Sequence, residues 1–144
     1  MLKELVDNSP GTKAAREALR YLGDVSMAQG KPGEAVSWYK KYIEKSGGDR
    51  EAALAGTWGL AAAQEDNKSF ADAAASYEDA SKRSSSDNEK GRALLAEARC
   101  YLRAGQNAKA IEIYRAAVAL PLAEQPIHDA ANARLGELQG VEAK

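Results

Sequence analysis

LLAEARCYLRAGQNAKAIEIYRAA, residues 94–117, reads as two helices folded about one turn. Leu94, Ala98 and Tyr101 recur at steps of four and three, and so do Ala110, Tyr114 and Ala117. Each half therefore places a narrow apolar stripe on one helical face. Between them Ala104-Gly105-Gln106-Asn107 interrupts the pattern with turn-forming residues. The stripes combine alanine with tyrosine: small side chains let two helices approach closely, and the rings fill the gaps behind them.

The same pattern returns along the chain. Ala35 and Tyr39, Ala73 and Tyr77, and Ala110 and Tyr114 stand at successive steps of 38 and 37 residues. Twelve residues before each alanine comes a small residue (Gly23, Ala61, Ala98), and Gly136 follows Ala98 by 38. Leu22, Leu60 and Leu135 precede three of these four positions. Such a period marks a stack of supersecondary units. Breakers within the repeats fall at residues 29–33, 66–69 and 104–107, and between repeats at 45–49, 83–87 and 120–126. Helices are expected over 13–29, 33–45, 50–65, 70–83, 88–104, 108–119 and 126–139, with Asp49, Ser69, Asp87 and Asn107 as N-caps.

These residues resemble the tetratricopeptide repeat (TPR), whose pattern is W-x2-L-G-x2-Y, then A-x3-F, then P over 34 residues. The first repeat carries it through Leu19, Leu22-Gly23, Ala35 and Tyr39. The second carries it through Leu60-Ala61, Ala73, Tyr77 and Ala80. The third does so through Leu94, Ala98, Tyr101, Ala110, Tyr114 and Ala117, with Pro121 near the expected proline. The resemblance implies an all-α, right-handed α-solenoid of antiparallel helix pairs in a single domain over 1–144. Its parts would be the end of a preceding repeat helix (1–9), three repeats (13–45, 50–83, 88–119) and a C-terminal capping helix (126–139). Leu2, Leu5 and Val6 stand where a preceding repeat would end, so the chain reads as part of a longer protein. Tyr42 takes a place where the family has alanine, which calls for local repacking. The extended units and the loop Asp7-Asn8-Ser9-Pro10-Gly11-Thr12 resemble those of bacterial cell-envelope TPR proteins. That likeness favours a periplasmic or envelope-associated location over a cytoplasmic one.

Composition narrows the function. The chain has 144 residues, 44% hydrophobic, with a net charge of −1. No basic excess supports nucleic-acid binding by counterion release. No apolar run approaches the ~20 residues of a membrane span, so no direct membrane insertion is expected in this segment. Cys100 and His128 are the only residues of their types. A lone cysteine allows no internal disulfide, and one histidine supports neither a multi-histidine metal site nor a His-based triad beyond a Cys100–His128 pair. Cys100 lies on a helix between Ala98 and Leu102 and is expected to pack as a small hydrophobe, while His128 is expected to face solvent. No catalytic residue, metal site or cofactor is expected, and the chain does not read as an enzyme.

Stacking should expose one face of each repeat's first helix as a concave surface. With Leu19, Leu22 and Gly23 inward, Glu17, Arg20, Asp24 and Met27 form the adjacent stripe. The second repeat contributes Trp58 and Glu65, and the third Arg92, Arg99 and Arg103. Trp and Arg are enriched among binding hot spots. The competing readings are that Trp58 packs under a neighbouring helix and that the arginines pair with Glu97 or Glu89 as solvated residues. The candidate peptide- or protein-binding residues are thus Arg20, Asp24, Met27, Trp58, Glu65, Arg92, Arg99 and Arg103. The carboxylate clamp of chaperone-binding TPR domains is not expected: Arg20 and Arg92 suit it, but Asp24 and Gly59 replace its asparagines and Ala96 a basic residue. The leading expectation is a groove that holds a protein or peptide partner. The alternative is a self-association or spacer module, with a homo-oligomer possible, and a third reading is an accessory domain of an enzyme elsewhere in a longer chain.

Overall fold

The computed structural model describes residues 1–142, with side chains to residue 140. Among the described residues there are eight helices and no strand. The chain divides into two compact units, one over Met1–Ser69 and the other from Phe70 onward. The first holds α1 (Leu2–Asn8), α2 (Lys13–Ala28), α3 (Pro32–Lys45) and α4 (Arg50–Asp66). The second holds α5 (Phe70–Arg83), α6 (Asp87–Arg103), α7 (Asn107–Val118) and α8 (Gln125–Glu142).

The repeat governs both burial and turn geometry. Ala35, Ala73 and Ala110 are fully buried, and so are Ala61 and Ala98; Tyr39, Tyr77 and Tyr114 are nearly so. Each turn inside a repeat closes the same way. Lys31 N–H donates to Ser26 O, Ser69 N–H to Gln64 O and Gln106 N–H to Tyr101 O, each at 2.8 Å. Such a helix end needs one residue in the left-handed region, supplied by Gly30 (φ 69°), Lys68 (φ 60°) and Gly105 (φ 78°). Lys68 alone carries a Cβ there, which costs roughly 1–2 kcal/mol. Lys68→Gly is therefore expected to stabilise the first unit by about 1 kcal/mol, read as a higher urea midpoint at unchanged slope. An unchanged or lower midpoint would remove the strain argument.

In the first unit Tyr39 is clasped between two helices. A Cβ at Gly23 of α2 or at Gly59 of α4 would fall 2.7 Å from Tyr39 Cε1, so the ring occupies space that both glycines leave open. Tyr42 finds its room similarly: a Cβ at Gly56 would stand 2.7 Å from Tyr42 Cδ1. The repacking that Tyr42 calls for is met by removing a side chain from the facing helix.

Capping differs in detail from the sequence reading. Thr12 and Asp49 accept from the backbone N–H of Ala15 (3.1 Å) and Ala52 (3.0 Å). Ser86, not Asp87, caps α6 by accepting from Glu89 N–H. Asp87 is already helical and accepts instead from Leu122 N–H at 2.8 Å. Asn107 is likewise the first residue of α7, and Gln106 holds the cap position without a side-chain bond.

Candidate functional site

The eight candidate residues fall into two sets, one on each unit. On α2, Arg20 lies between two carboxylates: Nε donates to Glu17 at 3.2 Å and Nη1 to Asp24 at 3.1 Å. Burial alone would lower its pKa, but the Glu17 hydrogen bond and the charges of Asp24 and Glu17 reverse this and hold the guanidinium above its ordinary value. Asp24 also accepts from the Tyr39 hydroxyl at 2.6 Å. Burial, then Asp24, pushes that phenol well above its usual range, so it remains a donor at any ordinary pH. Arg20 also lies over the exposed Tyr21 ring at 4.7 Å. Arg20 and Asp24 are therefore brought together as an internal network that ties α2 to α3. Met27 is half-buried against Ala35, Tyr39 and Ala63. Trp58 and Glu65 are half-buried on α4.

The first unit also has a cavity of about 360 Å³ lined by Val6, Pro10 and Leu19, with Lys13, Arg16 and Lys45 around it. Arg16 is already bonded there to Asp49 at 3.0 Å.

The second unit has a larger concavity, of about 550 Å³. From α6, Leu95, Arg99, Leu102 and Arg103 line it at helical spacing; α7 supplies Tyr114 and α8 supplies Ala130, Ala133, Arg134 and Glu137. Arg99 and Arg103 are exposed, and the Arg103 guanidinium lies 5.2 Å from the Phe70 ring centroid. Arg134 is paired with Glu137 at 2.9 Å. Three cations thus face a lining with one carboxylate, over an apolar floor. Arg92 is exposed on α6 but lies outside this lining.

The structure adds α8 to this wall. Two bonds hold the loop that leads into it: Asn88 Nδ2 donates to Glu124 Oε1 at 2.8 Å, and Glu124 N–H returns a bond to Asn88 Oδ1 at 2.7 Å. His128, expected to face solvent, is half-buried with Nε2 2.8 Å from Leu120 O. It helps hold the α7–α8 connection. Cys100 is fully buried. Among the described residues no group of three His, Cys, Asp or Glu side chains is placed to hold a metal ion, and no helix is long and apolar enough to cross a membrane.

Glu97 also departs from the sequence expectation. It is 2% exposed, so it is not a solvated partner of the arginines. Part of the signal was available: counting back from Ala98, Glu97 takes the register held by Leu22, Leu60 and Leu135, which are half-buried, whereas Glu97 is buried completely.

The helix pairs, their shared turn and their buried Ala-Tyr ladder define an all-α helical-repeat protein. The tetratricopeptide-repeat model matches residues 1–50 and 57–126, and the chain belongs to that family. Its repeats commonly mediate protein–protein interaction, and the family is generally non-catalytic. Among solved structures, the N-terminal domain of stress-induced protein-1 from C. elegans is similar with a TM-score of 0.71 at 16% identity, covering 87% of this chain and 94% of that chain. At that identity the likeness concerns the fold. The curated proteins contain no match.

Proposed function

We propose that the chain is a non-catalytic protein-interaction module whose second unit holds an acidic peptide segment with apolar side chains in the α6–α8 concavity. The observation that carries this reading is the lining itself: Leu95 and Leu102 offer apolar contact while Arg99, Arg103 and Arg134 outnumber Glu137. Its volume lies within the range of ordinary ligand sites. Guanidinium groups bind carboxylates through paired hydrogen bonds, and arginine beside apolar anchors is a common hot-spot composition. Arg99 and Arg103 line this concavity together with Leu95 and Leu102, so the reading places recognition on α6. Trp58, Glu65 and Met27 remain candidates for a contact that the first unit makes by itself.

The test is fluorescence anisotropy with labelled twelve-residue peptides, one pool mixing Asp and Glu with Leu and Phe, the other replacing the acids with Lys. Acidic peptides should bind, more weakly as salt rises. Arg99→Glu with Arg103→Glu should cost at least about tenfold in Kd, or about 1.4 kcal/mol, with the helical circular-dichroism signal intact. Equal binding of both pools, or an unchanged affinity in a folded variant, would sink the proposal.

A further inference from the structure

Glu97 is the largest fully buried side chain among the described residues. Its Oε2 has no hydrogen-bond partner. It sits on α6 in the register that holds leucine in the other repeats, between Leu95 and Arg99 of the proposed binding face. A carboxylate in such a place is costly when ionised, because burial strips its water and nothing replaces it.

The neighbouring charges do not neutralise it. From α5 it faces Glu78 and Lys82, and from α7 Lys109 and Glu112. Lys82 is bonded to Glu78 at 2.6 Å, and Lys109 lies 4.8 Å from the centroid of the Tyr101 ring. Elsewhere on these helices Asp79 is paired with Arg83. On α8, Arg134 is paired with Glu137, and His128 is engaged with Leu120 O. Two carboxylates oppose a charge on Glu97, and the cations that favour one are both committed to other groups.

We infer that Glu97 is a proton-operated lock on the second unit: neutral, it packs within the core of α5, α6 and α7, and ionised, it loosens the α5–α6–α7 contact and with it the binding face of α6. Burial first, then Glu78, raises its pKa to about 7, against the opposing pull of Lys82 and Lys109. A carboxyl with a raised folded-state pKa binds its proton more tightly when folded than when unfolded. Its neutral form therefore favours the fold, and that stability is lost as pH climbs from the unfolded value near 4.5 through about 7. This regulatory part rests on the proposed binding face; the proton linkage itself does not.

The experiment compares wild type, Glu97→Gln and Glu97→Leu in urea from pH 5 to pH 8.5, with the Glu97 carboxyl carbon followed by NMR in the folded wild type. The expected carboxyl midpoint lies near 7. The unfolding constants of wild type and Glu97→Gln should differ little at pH 5 and by on the order of a hundredfold at pH 8.5, wild type being weaker. Glu97→Leu, which restores the repeat's own residue, should share the flat profile. A midpoint near 4.5, or parallel pH profiles for wild type and Glu97→Gln, would overturn the lock. Acidic-peptide affinity of wild type should fall several-fold between pH 6 and pH 8.5 and hold steady in Glu97→Gln. Equal behaviour of the two would overturn the regulatory part. Absence of peptide binding at pH 6 in both proteins would overturn the binding face, and with it the regulatory part, while leaving the stability profiles to judge the proton linkage.

Discussion

Tyr39→Ala should remove about 3–5 kcal/mol from the stability of the first unit, a large share of what a domain of ordinary stability has to lose. The reason is the absence of side chains on both sides of the ring. Gly23 and Gly59 present backbone to Tyr39, and a Cβ on either would stand 2.7 Å from the ring. Deleting the ring therefore opens a slot between α2 and α4 that neither helix has atoms to fill, and helices can only partly collapse into such a space. Tyr39→Phe isolates the hydroxyl. It keeps the wedge and removes only the 2.6 Å bond to Asp24. Asp24 is exposed and still holds Arg20, so water can replace the lost donor and the cost should be about 1 kcal/mol. Urea unfolding followed by tryptophan emission reads both variants, since Trp38 and Trp58 lie in the same unit. A Tyr39→Ala protein within about 1 kcal/mol of wild type, or a Tyr39→Phe protein as weak as Tyr39→Ala, would contradict the wedge.

The fold class was legible because the repeat places the same few residue types at the same contacts. Ala35, Ala73 and Ala110 share one depth of burial, and Gly30, Lys68 and Gly105 share one turn conformation. Helix starts were read less well. At α6 two adjacent side chains, Ser86 and Asp87, can both cap, and Asp87 is drawn away by Leu122 N–H, thirty-five residues distant. The candidate site was legible as a helical stripe, since Leu95, Arg99 and Leu102 follow from spacing alone. What each arginine bonds to was not. Spacing does put Arg20 within reach of Glu17 and Asp24, but only the structure shows Tyr39 adding its hydroxyl to that network. The α8 wall was missed because its register on α6 depends on a contact between Gly91 and Ile127. Glu97 was missed for a different reason: a charged residue was read by its type, although its place in the period is one that half-buried leucines hold elsewhere.

Ile127→Ala should undock α8 and remove one wall of the binding concavity. Ile127 is nearly buried, and a Cβ at Gly91 would fall 2.7 Å from its Cγ2 and 3.4 Å from Leu120 Cδ1. The isoleucine thus plugs into bare backbone of α6, and one turn further on Ala131 is completely buried. The Asn88–Glu124 bonds and the Asp87–Leu122 bond lie on the exposed surface. Each contributes about 0.5–1.5 kcal/mol, and they fix the connecting loop rather than the helix. Truncating the plug should cost about 2–5 kcal/mol. Since α8 supplies Ala130, Ala133 and Arg134 to the concavity, amide exchange over residues 125–140 should accelerate and acidic-peptide affinity should fall at least about tenfold. Gly91→Leu should give the same result from the opposite cause, by filling the socket. Combining the two changes places a large side chain on α6 against a small one on α8, and should recover part of both losses. Exchange in α8 that stays at the wild-type rate in Ile127→Ala, or a double variant as weak as the sum of the two singles, would mean that α8 is held by its loop and not by this contact.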